Sequence, residues 1–161
     1  KYILLFAILL SSCESQTEPK GSGYWIAEDG NEKFVNASDD YTDIFKAWVE
    51  AHNEKDIDKV LSYETEDVIL DLPDGTLIEG KEAHSQGLEN YFNLDPELNL
   101  FWALPYVGVN NAEVWIIAGS VEDTTTEEGK QSRLLMVDAQ FTEDKLSRII
   151  FYEKARPSSQ N

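Results

Sequence analysis

From about residue 98 onward the hydrophobic period of this chain is two, and that change limits the folds open to it. Before it, apolar side chains recur every three or four residues. Tyr41, Ile44, Phe45, Trp48, Ala51 and His52 form one stripe, Ile57, Val60, Leu61 and Tyr63 a shorter one, and His84, Leu88, Tyr91 and Phe92 a third. That spacing places each set on one face of an α-helix. After it, apolar and polar residues alternate through 98–109, 112–123, 131–141 and 146–154, as in strands with one covered face. Asn110-Asn111, Glu128-Gly129 and Glu143-Asp144 separate these runs at hairpin lengths. A further strand at 68–72 turns at Pro73-Asp74-Gly75 into a short return at 76–80. Helices followed by a meander predict an α+β domain: three N-terminal helices packed on a strongly curved antiparallel β-sheet.

The first thirteen residues follow another pattern. Lys1 precedes an apolar run at 2–10, then Ser11, Ser12 and Cys13. The run is shorter than the roughly 20 residues that span a bilayer, but it suits the apolar stretch of about 7–15 in a secretory signal. Leu10-Ser11-Ser12-Cys13 resembles the lipobox of bacterial lipoproteins, which implies cleavage before Cys13 and a lipid on its sulfur. The polar, Pro/Gly/Ser-containing stretch that follows reads as a tether. The competing reading is a buried N-terminal element with an incidental cysteine. The expected layout is a signal peptide at 1–12, lipidated Cys13 with its tether to 23, and a hairpin-like extension at 24–40. A single domain at 41–155 and a tail at 156–161 complete it. An anchored domain of this kind belongs outside the cytoplasm, on a membrane of the bacterial envelope.

Cys13 is the only cysteine, so the domain has no disulfide, thiolate metal site or cysteine nucleophile. The formal charge of −18 repels nucleic acid and anionic headgroups, and excludes nucleic acid as an expected partner. For most of these carboxylates, solubility is a sufficient role.

Within the domain, the stretch 47–63, then Glu66-Asp67-Val68, Asp74-Gly75 and Gly80-Lys81-Glu82-Ala83, in that order and ahead of a four-strand meander, resembles the NTF2-like superfamily. Within it, the similarity is to SnoaL-like and ketosteroid-isomerase-like proteins. The resemblance implies a cone in which helices close a bent sheet around an apolar pocket, and dimerisation through the sheet. Trp48, Leu72, Tyr91, Trp102 and Trp115 are the candidate pocket walls, although aromatics at such spacing also serve as plain core.

The same resemblance tests the chain for chemistry. The isomerase branch keeps a basic Asp just before a proline, where this sequence has Leu72 before Pro73. Its phenolic donor on the first helix falls on Trp48. Neither substitute performs the original role. The place of a second, protonated Asp in an apolar site falls near Asp138, whose other reading is an Asp on the solvent face of its strand. His52 and His84 lie along helical stripes, within reach of a pocket as acid or base, or as structural histidines. GxSxG, Walker and GxGxxG patterns are absent, and nothing has metal-ligand spacing; no cofactor or metal is expected. Asn53-x-x-Asp56-x-Asp58 lacks the Gly and Glu of a calcium loop and reads as a helix-capping break. The departures at Leu72 and Trp48 favour a non-catalytic module that binds a small apolar ligand or acts as a homodimer. The alternative is an isomerase- or cyclase-like enzyme using Asp138 with His52 or His84.

Overall fold

The protein is represented by a computed structural model that describes residues 21–155 apart from 28, 29 and 128. The expected signal peptide, Cys13, most of the tether, Asp29 in the Asp29-Gly30 turn expected for the hairpin-like extension, Glu128 and the tail lie outside the described residues. The chain runs through β1 (Ser22–Ala27), β2 (Gly30–Asn36), α1 (Asp39–Asn53), α2 (Ile57–Ser62), β3 (Glu64–Asp71), β4 (Leu77–Glu79) and α3 (Lys81–Phe92). It continues through the long strands β5 (Glu97–Gly108), β6 (Val114–Thr126), β7 (Gly129–Thr142) and β8 (Lys145–Ala155).

All eight strands join one sheet in the order β1-β2-β5-β6-β7-β8-β3-β4. Every pairing is antiparallel except β3 with β8. The α+β class is as expected, but the helices do not form one N-terminal block: β1 and β2 precede α1, and β3 and β4 separate α2 from α3. β1 already begins at Ser22, within the stretch read as tether.

Local chemistry fixes the helix ends. Ser38 caps α1 by accepting from the Asp40 backbone N–H, with Asp39 and Asp40 in the first turn, where carboxylates suit the helix dipole. Asp56 caps α2 by accepting from the Lys59 N–H at 3.0 Å. Between them Asn53 ties α1 to the sheet, donating to the Leu98 carbonyl at 2.9 Å and accepting from its N–H at 2.7 Å. The Asn-x-x-Asp-x-Asp run is thus a capping break that also fastens the end of α1 to β5.

Helix α1 supplies four of the fifteen residues of the buried core. Phe45, Trp48, Val49 and Ala51 pack with Val60, Val68, Leu88 and the inward residues Ile116, Ala118, Val137, Ala139, Leu146 and Ile149. Residues of opposite parity point to the far side of the sheet. There the β5 register shifts between Leu100 and Trp102, and the Trp102 indole lies over Gly119. A Cβ at Gly119 would sit 2.2 Å from Trp102 Nε1, so the tryptophan lies flat only because residue 119 has no side chain.

Candidate functional site

The sheet bends away from α1 and α3 and leaves a cavity of about 450 Å³ between them, within the usual range for small-molecule sites. Its walls are mostly apolar: Phe45, Val49, Leu70, Leu88, Leu98, Leu100, Ala118, Leu135, Val137 and Phe151. Pro73, Asp74 and Glu153 are the exposed members of the lining and mark its open side.

One polar cluster backs the wall at the helices. Glu64 is 1% exposed, and its carboxylate accepts from Trp48 Nε1 at 2.8 Å and from His84 Nδ1 at 3.0 Å. Glu64 sits behind the cavity, while Trp48 and His84 line it. With Nδ1–H given to the carboxylate, the other His84 nitrogen is left for a ligand. His52 stands beside this pair. Its Nδ1 lies 2.8 Å from the Trp48 carbonyl, and its ring centroid is 6.3 Å from that of His84. Burial, opposed by the Trp48 hydrogen bond and aided by His84, pulls the His52 pKa down to about 4. It is therefore neutral at neutral pH.

A second cluster lies on the sheet side. Glu122, 2% exposed, accepts from Tyr91 Oη at 2.6 Å and from Arg133 Nε, and Arg133 also pairs with Glu153. Burial and the neighbouring Glu122 charge raise the Tyr91 pKa far above the ordinary phenol value, so this hydroxyl stays protonated and acts as a donor.

The candidate residues divide by location. Trp48, Leu72, Tyr91, His52 and His84 line the cavity. Asp138, Trp102 and Trp115 do not, which corrects their expected placement. Val137 and Ala139 point inward, so strand alternation turns Asp138 to the opposite face. There it accepts from Tyr106 Oη at 3.0 Å, and burial raises its pKa against the lowering effect of that bond. Trp115 faces outward because Ile116 faces the core, and Trp102 because of the shift after Leu100. Asp71, next to Leu72, points away as well and lies 3.7 Å from Arg148.

Glu64, Ser120, Glu122, Arg133 and Glu153 escaped the sequence reading. A signal existed for one run. Ser120 and Glu122 continue the inward parity of Ile116 and Ala118, and polar residues at a covered parity mark a pocket. The indole N–H of Trp48, at the place of the isomerases' phenol, is already committed to Glu64.

No family model and no curated protein matches the sequence. The similarity lies in the fold. A putative ketosteroid isomerase from Kribbella flavida superposes with a TM-score of 0.61 at 13% identity, over 78% of this chain and 86% of its own. An epoxide hydrolase/cyclase-like enzyme of pyran ring formation in the polyether salinomycin gives 0.61 at 15%, over 71% and 90%. A cystatin-fold protein from Novosphingobium aromaticivorans gives 0.58 at 23%, over 70% and 97%. The structural neighbours are thus SnoaL-like, ketosteroid-isomerase-like and cystatin-like proteins, and the chain has their NTF2-like fold.

Proposed function

We propose that this domain binds a small, largely apolar molecule in its cone, and that Cys13 tethers it by a lipid outside the cytoplasm. The observation that carries the binding role is the cavity: about 450 Å³ with mostly apolar walls and two clusters of polar groups. Ser120→Phe would fill it from an inward position of β6. Binding of an environment-sensitive apolar dye should weaken at least about tenfold, the cost of roughly 1.4 kcal/mol, with circular dichroism unchanged. A variant that binds the dye like the wild type would remove this cavity as the site. The anchor is tested by detergent phase partition, in which Cys13→Ser should move the protein to the aqueous phase. Equal partition would discard the anchor.

The His84–Glu64 pair favours a second reading, acid–base catalysis, since a histidine held by a carboxylate at a cavity wall has the arrangement of a general base. It uses neither Asp138 nor the Leu72 position. The folds it resembles include an epoxide hydrolase/cyclase-like enzyme, so apolar epoxy alcohols are the substrates to try. Turnover should fall about 100-fold or more in His84→Gln, and its absence in the wild type would sink this reading.

The outer face of the sheet supports a homodimer. Phe101, Trp102, Leu104, Leu134, Met136 and Tyr152 are exposed there, on a patch with few of the acidic charges that dominate the chain. Light scattering should give twice the monomer mass, and Met136→Glu should return it to one. A wild-type monomer at high concentration would rule the dimer out.

A further inference from the structure

Resting on the reading of the cone as a ligand pocket, we infer that its ligand carries a hydroxyl or amine that donates a hydrogen bond to His52 Nε2. We infer further that the pocket takes uncharged or cationic molecules in preference to anions. The first part follows from the tautomer. His52 is 5% exposed, and its Nδ1 lies 2.8 Å from the Trp48 carbonyl oxygen. A carbonyl oxygen only accepts, so the ring proton is on Nδ1 and Nε2 holds a bare lone pair. Among the described residues no group bonds to that nitrogen, and the ring lines the cavity. An acceptor without a protein partner in a cavity wall is matched by a donor on whatever fills the cavity.

The remaining polar groups point the same way. A ligand carbonyl or oxyanion needs donors, and most donors at this cavity are committed. Trp48 Nε1 and His84 Nδ1 serve Glu64, Tyr91 Oη serves Glu122, and Arg133 gives Nε to Glu122 and Nη1 to Glu153, which leaves Nη2 over. Ser120 alone brings an uncommitted hydroxyl. The formal charges of the lining are Asp74, Glu122 and Glu153 against Arg133. An anion would meet two surplus negative charges in the lining, Asp74 and Glu153 of the open side among them. A protonated amine meets the opposite field.

The test is isothermal titration of the protein at neutral pH with four probes on one apolar cage: adamantanol, adamantanamine, adamantanone and adamantane carboxylate. The alcohol and amine should bind at least about tenfold tighter than the ketone, with the carboxylate weakest. In His52→Phe the alcohol's advantage over the ketone should shrink by at least about threefold, His84 Nε2 being the acceptor that remains. Equal affinities across the four overturn the inference and leave the pocket reading standing, as does a ketone or carboxylate that binds best. If none of the four binds, the inference and the pocket reading fall together. Should His52→Phe not fold, long-range proton–nitrogen NMR of the wild type decides the tautomer. A His52 proton on Nδ1 supports the assignment, and a proton on Nε2 overturns it.

Discussion

Replacing His84 with leucine should destabilise the domain by about 1–3 kcal/mol, the cost of leaving a buried carboxyl oxygen without its hydrogen-bond partner. The reason is the position of Glu64. Its side chain is fully enclosed, and its only partners among the described residues are the Trp48 indole N–H and the His84 imidazole. Water cannot replace the lost hydrogen bond at a site this enclosed. Glu64→Leu in the same chain removes the orphaned carboxylate, and the double variant should therefore be more stable than His84→Leu alone. Chemical denaturation of the four proteins in the cycle measures this directly. If the two substitutions simply add, the pair is not coupled and Glu64 does not depend on His84.

The second large effect is a loss of stability in mild acid that belongs to His52. In the unfolded chain its pKa is the ordinary 6.5, and in the fold burial holds it at about 4. Between those values the unfolded chain binds the proton more readily, so protonation favours unfolding. Stability is unaffected above pH 6.5, falls as the pH drops toward 4, and loses about 3 kcal/mol in all. Carboxylates elsewhere add their own acid dependence, so the comparison is with His52→Gln, which retains a donor for the Trp48 carbonyl. The variant should show a shallower decline between pH 6.5 and 4 in urea-unfolding midpoints. Parallel curves would mean that His52 is accessible to protons in the folded state.

These residues were legible in the sequence to different degrees. Helical stripes depend on spacing within a dozen residues, so the sides of α1 and α3 that carry Trp48, His52, His84 and Tyr91 were readable before any tertiary contact. The strands of the meander were readable for the same reason. Which side of a strand faces the cavity was less secure. One residue of register moves a side chain to the other face, and Asp138 and Trp115 sit at parities opposite to their inward neighbours Val137 and Ile116. At Trp102 a local shift against β6 changes the parity itself. Glu64 had no local signal at all. Its burial depends on β3 lying parallel to β8 and on α1 and α3 closing over it, contacts between segments far apart in sequence.

The ligand role rests on an apolar space, open on one side, that side chains do not fill, and xenon tests it most directly, because the gas enters apolar cavities and not packed cores. A crystal of the protein pressurised with xenon should show the atom between Leu70, Leu88, Leu135 and Val137 in the wild type and none in Ser120→Phe. A wild-type crystal with no xenon there, and with Trp48 and Phe45 collapsed onto β6, would contradict the account.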